Sequence, residues 1–223
     1  MAEEPFNSQD DLAVEPTSAR RSPVQLRSQQ TVQRVLDAAS AVLQRVSLEE
    51  ITTTRIAEEA GLSIGALYRF FPDKQSIIDA IAVRHVENFK ADVEPKLMKL
   101  ILRGAISPGK FDPAVVLDAV VDAYVVYLDA HPDFRAISFG RHISAATKER
   151  EASPQVGLPG LLKKFIVRRL GMTDSAELDL RLRVVSESGE RLIAYAYEQQ
   201  TREDRDRIIA EMKRMLARYL FAN

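Results

Sequence analysis

The sequence predicts an all-α protein, with a small N-terminal head of three helices in helix-turn-helix arrangement followed by a larger helical body. Three observations predict it. Apolar residues recur at three- and four-residue steps along most of the chain, glycine and proline are few, and a Ser, Thr or Asp precedes several apolar runs where a helix start needs a cap. With 223 residues, 46% of them hydrophobic, the chain is long enough to bury a sizeable core.

Residues 1–27 mix Pro, Ser, Gln and acids without apolar periodicity and read as a disordered tail ending in a basic arm. Glu3, Glu4, Asp10, Asp11 and Glu15 precede Arg20, Arg21 and Arg27, so the sign of the charge flips where order begins. The first helix carries Val32, Val35, Leu36, Ala39, Val42, Leu43 and Val46 on one face and ends near Ser47. The Thr52-Thr53-Thr54 run supplies a cap for a second helix, with Ile56, Ala57 and Ala60 inward and Gly61 as its stop. Ser63 caps a short third helix around Leu67, closed by Phe70-Phe71-Pro72. Asp73 caps a fourth, which runs through Ile77, Ile78, Ile81 and Phe89 until Pro95.

Asp112-Pro113 pairs an N-cap with proline at the first helical position and opens an unusually apolar helix. Val115 to Leu128 cover most of its circumference, so it is expected at the buried centre of the body, with Asp118, Asp122 and Asp129 on its wet edge. His131-Pro132 ends it. A further helix is expected from about Asp133 to Glu149, a loop from Ser153 to Gly160, and another helix from Leu161 to Leu170. Leu178, Leu182, Val185, Gly189, Leu192 and Ala196 then form a heptad-like seam, and Ile208, Met212, Met215, Leu216, Tyr219 and Leu220 a second stripe. The pair reads either as half of an intermolecular four-helix bundle or as two stripes packed on their own body.

Several function classes are excluded or disfavoured by composition. No cysteine occurs, so disulfides, thiolate nucleophiles and cysteine-based zinc sites are absent. His85, His131 and His142 have no metal-ligand spacing, and no glycine loop is built to cradle phosphate. Asp118 with Asp122 reads as a helix edge rather than an acid–base pair. Neither an enzyme nor a metal or cofactor is therefore expected. The N-terminus is acidic and no apolar run approaches the ~18 residues of a membrane span, so a cytoplasmic protein without membrane contact is expected. A formal net charge of −1 leaves room for a local basic patch.

The stretch Thr53-Thr54-Arg55-Ile56-Ala57-Glu58-Glu59-Ala60-Gly61-Leu62-Ser63-Ile64-Gly65-Ala66-Leu67-Tyr68-Arg69-Phe70-Phe71-Pro72-Asp73-Lys74 resembles the signature of the tetracycline-repressor (TetR) family almost position by position. The resemblance covers about residues 28–90, and Phe70 departs from it where the family often has His or Tyr. It implies a DNA-binding transcriptional regulator, a repressor by family default, that holds a palindromic operator as a homodimer. The implied units are a DNA-binding domain at 28–75 and a ligand-binding and dimerisation domain at 76–223. A small-molecule effector is implied to change the angle of the fourth helix and move the heads apart. A body that recruits a protein partner instead is the alternative.

The residues themselves suit such contacts. Thr53, Thr54 and Arg55 offer hydroxyls, backbone N–H groups and a charge to phosphate. Ser63, Ile64 and Gly65 open the third helix with little bulk, so that Ile64 can meet a thymine methyl and Ser63 a base edge or phosphate. By the resemblance, Tyr68 donates its hydroxyl to a phosphate. Lys74 beside the fourth helix start suits another, and Arg69 suits backbone or base. For the effector, Phe89, Tyr124, Tyr127, Phe134, Phe139, Phe165 and Tyr195 are candidate walls of an aromatic cavity, with plain core packing as the other reading. For the homodimer, Leu178, Leu182, Val185, Gly189, Leu192, Ala196, Ile208, Met212, Met215, Leu216 and Tyr219 are the candidate contacts.

Overall fold

The computed structural model describes residues 23–107, 110–140, 142–153 and 155–221. The helices are α1 (Pro23–Leu43), α2 (Thr53–Glu59), α3 (Ile64–Tyr68), α4 (Lys74–Leu102), α5 (Pro113–Ala130), α6 (Pro132–Phe139), α7 (Ala145–Glu151), α8 (Leu158–Leu170), α9 (Ala176–Tyr197) and α10 (Arg202–Leu220). Between α4 and α5 a minimal antiparallel ladder joins β1 (Ile106–Ser107) to β2 (Lys110–Phe111).

Helix α1 begins at Pro23, inside the segment read as tail, because proline suits a first helical turn. Arg20, Arg21 and the acidic run before them lie outside the described residues. Helix α4 passes through Pro95, where the sequence suggested an end, and reaches Leu102. A mid-helix proline costs roughly 3 kcal/mol, but Val93 and Leu97 on either side of it are both buried in the body, and the Pro95 ring itself faces solvent.

The single helix expected from Asp133 to Glu149 is instead two. Gly140 ends α6, and Ser144 caps α7 by accepting the Thr147 N–H at 3.3 Å. The break is held from α4: Asp79 accepts the Ser144 N–H at 2.9 Å, its Oγ–H at 2.5 Å and the Thr147 hydroxyl at 3.1 Å. Burial pushes the Asp79 carboxyl up, and these bonds with that of Gln75 outweigh it, so its pKa lies below the ordinary value. Helix α8 likewise starts earlier than expected, at Leu158, with Pro159 in its first turn. At Gly157 just before it, a Cβ would lie 1.8 Å from the Glu151 carbonyl oxygen, so this close approach of two backbones requires glycine.

Two hydrophobic cores result. The head core gathers α1, α2, α3 and the first two turns of α4, including Val35, Ile56, Leu67, Ile77 and Ile81. The body core is centred on α5 and walled by α4, α8, α9 and α10. α5 buries Val116, Leu117, Val120, Val121, Tyr127 and Leu128, while Val126 is 65% exposed, so its apolar circumference is not wholly covered. Its acidic edge faces α10, where Lys213 pairs with Asp122 at 2.5 Å and Asp118 at 3.3 Å. The division is crossed from the body side: Ile137 of α6 is fully buried within the head core, and half-buried Ile143 packs against it.

Candidate nucleic-acid interface and ligand cavity

The head places its candidate contacts on two capped helix starts. Thr52 is the cap of α2, its Oγ1 accepting the Arg55 N–H at 3.2 Å, which leaves Thr53 and exposed Thr54 available for other partners. The Thr53 hydroxyl meets that of Tyr68 at 3.1 Å, and Tyr68 is otherwise 50% exposed. Arg55 is exposed with its guanidinium donating to the Glu50 carbonyl at 3.2 Å. Ser63 caps α3 by accepting the Ala66 N–H at 3.2 Å, and Ile64, Gly65 and Arg69 stand on the open side of this helix. A Cβ added to Gly65 would meet nothing within 4 Å, so the backbone here is accessible to a large partner.

Lys74 is the exception to the open arrangement. Its ammonium donates to the Leu48 carbonyl at 3.2 Å, tying the α4 start to the loop after α1. The α4 terminus is also occupied by the Asp73 carboxylate, which accepts the Ser76 N–H at 2.7 Å within a capping box. Lys74 is therefore partly committed to the fold, with ammonium protons to spare. Phe70 packs against the head core. Sequence reasoning missed Arg34, which donates from α1 to the Ala60 carbonyl at 2.5 Å and so braces the turn between α2 and α3. In that turn Gly61 takes φ +63°, a left-handed conformation natural to glycine. No periodic pattern marks Arg34, because it lies off the apolar stripe of α1.

Behind the head, α4 is fixed to both units. Arg84 forks to Asp37 Oδ1 at 2.6 Å, Ser40 Oγ at 2.9 Å and the Leu36 carbonyl at 3.3 Å, all on α1. One position on, buried His85 has Nδ1 2.8 Å from the Tyr127 hydroxyl and Nε2 3.1 Å from Asp133 Oδ2. Burial pushes Asp133 up, but the hydrogen bonds of His85 and Ser40 and the His85 charge outweigh it and hold the carboxyl at about 2. Burial pushes Tyr127 up to about 12. Asp133 Oδ2 accepts the His85 Nε2–H, and Nδ1 and the Tyr127 hydroxyl partner each other, so the three groups satisfy one another.

Inside the body, helices α4 to α10 surround a cavity of about 170 Å³. Three of the expected aromatic walls line it: Phe89, Tyr124 and Phe134. The others do not. Tyr127 is turned to His85, Phe139 packs on Tyr197 at 5.4 Å between ring centres, Phe165 is buried in the core away from the cavity, and Tyr195 is 46% exposed on the outside of α9.

The heptad-like seam is corrected by the same geometry. Leu178, Leu182, Val185, Gly189, Ala196, Met212 and Leu216 are buried within this one chain, and Leu182, Val185, Gly189, Met212 and Leu216 line the cavity. Gly189 is small because α10 crosses there; a Cβ would lie 3.4 Å from Leu216 Cδ1. Leu192 and Ile208 pack against the body core, half-buried. A four-three spacing shows that a stripe is covered and does not say by what. The faces left open carry Leu180, Val184 and Tyr195 on α9 and Met215 and Tyr219 on α10, so only the last two of the expected contacts face outward.

Comparison with known proteins agrees with this geometry. Residues 35–81 match the model described as bacterial regulatory proteins, tetR family, and residues 112–220 the tetracyclin repressor-like C-terminal domain. A curated relative, the HTH-type transcriptional regulator BetI of Proteus mirabilis, is 27% identical over 106 residues, 43% of this chain and 50% of that protein. The chain thus spans half or less of the length of the curated relatives it matches. A TetR-family transcriptional regulator from Streptomyces coelicolor superposes with a TM-score of 0.62 at 27% identity, over 85% of this chain and 97% of that one. RolR, solved in complex with resorcinol, has the same fold, with a TM-score of 0.60 at 18% identity over 89% of this chain and 96% of its own.

Proposed function

Since the chain belongs to the TetR family of DNA-binding transcriptional regulators, we propose that it is a ligand-released repressor that grips a palindromic operator as a homodimer. Residues 28–75 serve as the DNA-binding unit and 76–223 as the ligand-binding and dimerisation unit, in the cytoplasm. The reading rests on one observation: α4 puts Ile77, Ile78 and Ile81 in the head core and Phe89 on the cavity wall, so one rigid element touches both sites.

In the bound state α3 lies in the major groove, with Ser63, Ile64 and Gly65 toward base edges and Thr53, Thr54, Arg55, Tyr68, Arg69 and Lys74 toward the backbone. A second copy docks on the open faces of α9 and α10 around Val184, Tyr195, Met215 and Tyr219. A small apolar or aromatic ligand in the cavity favours a packing with a different α4 angle, and operator affinity falls. RolR with resorcinol supports a ligand of this kind by analogy of fold.

The test uses an operator duplex selected from a random pool. Compounds that raise the melting temperature of the protein are added in an anisotropy titration. The reading expects weakened DNA binding, and compounds that bind without changing operator affinity overturn it.

A further inference from the structure

At one side of the cavity the apolar lining gives way to charged groups on α7 and α9. Lys148 and Glu151 lie one turn apart on α7, and Lys148 reaches across to Glu187 at 3.2 Å and Glu190 at 3.8 Å on α9. Lys148, Glu151 and Glu190 all line the cavity. Glu151 Oε1 is paired with Arg150 at 3.1 Å. Its other oxygen, Oε2, is buried and has no hydrogen-bond partner among the described residues.

An unpaired carboxylate oxygen out of water is costly, and native interiors ordinarily supply it a donor. Glu190, with its side chain 35% exposed, has no close cation of its own. Lys148 is nearer to Glu187, and at 3.8 Å its contact with Glu190 is too long for a hydrogen bond. Burial accordingly pushes the Glu190 carboxyl up, and burial together with the Glu190 charge raises the Tyr124 phenol. Three carboxylates thus share two cations, Lys148 and Arg150, and those that line the cavity are two carboxylates, Glu151 and Glu190, with one ammonium, Lys148. An anionic ligand would compete with Glu187 and Glu190 for Lys148, whereas a cation meets the unpartnered Glu151 Oε2 and the loosely paired Glu190. The remaining walls, among them Phe89, Val120, Phe134 and Leu162, ask for an apolar body. An apolar cavity of about 150 Å³ holds benzene, so this one suits a single ring or a short chain.

We infer that the cavity takes a protonated amine on a small aromatic or alkyl body, the ammonium bonding Glu151 Oε2 and Glu190 and the body lying against Phe89, Tyr124 and Phe134. This rests on the proposed ligand-sensing role and adds the charge of the ligand to it. The ammonium supplies the missing donor to the buried Glu151 Oε2 and makes a charge-assisted bond to Glu190.

Three probes of matched shape test it by calorimetry near neutral pH: phenethylamine, 2-phenylethanol and 3-phenylpropionate. The amine is expected to bind tighter than the acid by about tenfold or more. In the double substitution E151Q with E190Q the preference collapses, while the alcohol binds as before and shows that the cavity is intact. Equal or tighter binding of the acid overturns the inference, as does a preference that survives the double substitution, or no binding by any probe. Operator affinity is measured separately: an amine that binds but leaves DNA affinity unchanged counts against ligand release and leaves the charge preference standing.

Discussion

The hydroxyl groups of Thr53 and Tyr68 meet at 3.1 Å, one from the first turn of α2 and the other from the end of α3. The bond links the two helices at their surface and gathers both hydroxyls at a single point, where one phosphate can take them. Tyr68→Phe removes a donor and this brace while leaving the ring. Operator affinity should fall by about tenfold across sequences, as for one or two lost hydrogen bonds, with the slope of affinity against salt unchanged. A loss confined to one base position would point to direct base reading by Tyr68 instead.

Lys74→Ala tests charge rather than hydrogen bonding. A lysine that neutralises one phosphate contributes about one unit to the salt slope, so the slope should flatten by about that much. The bond to Leu48 is lost as well, and a small fall in melting temperature is expected. An unchanged slope would leave Lys74 with its structural role alone.

Asp133 gives stability an acid limb. Its carboxyl is held at about 2 in the fold against an ordinary 3.8, so the stability it adds is whole above 3.8 and drains away as the pH falls toward 2. Urea midpoints measured across that range should drop more steeply for the native chain than for Asp133→Asn. Parallel curves would show that the His85 bond does not govern the titration.

The outward faces of α9 and α10 can be separated from their inward faces by substitution. Tyr195→Glu with Met215→Glu puts charge on exposed positions and should yield monomers in analytical ultracentrifugation with the helical signal intact. Leu182→Ala empties a fully buried position instead. It should cost about 2–5 kcal/mol of unfolding free energy within each copy. A dimer that persists in the double variant would place the partner elsewhere.

Much of the head was legible because its signals are local. Thr52, Ser63 and Asp73 each accept a backbone N–H within the next three residues, and such capping is encoded in adjacent positions. The break between α6 and α7 was not, since it depends on Asp79, which lies 65 residues from Ser144. The stripe of α9 was readable as covered, yet period alone cannot distinguish a neighbour in the same chain from a second copy. The cavity left the faintest trace. Phe89, Phe134 and Phe165 look alike in sequence, and only the packing of distant helices puts the first two beside empty space and the third in the core.

Ile137 carries a consequence for any attempt to cut the protein in two. Because a body side chain completes the interior of the head, residues 23–102 expressed alone would expose a hole where that side chain sat, and the isolated fragment should be less stable than the same segment in the whole chain. The chain should therefore melt as one cooperative unit, its DNA-binding end borrowing part of its solidity from the other half.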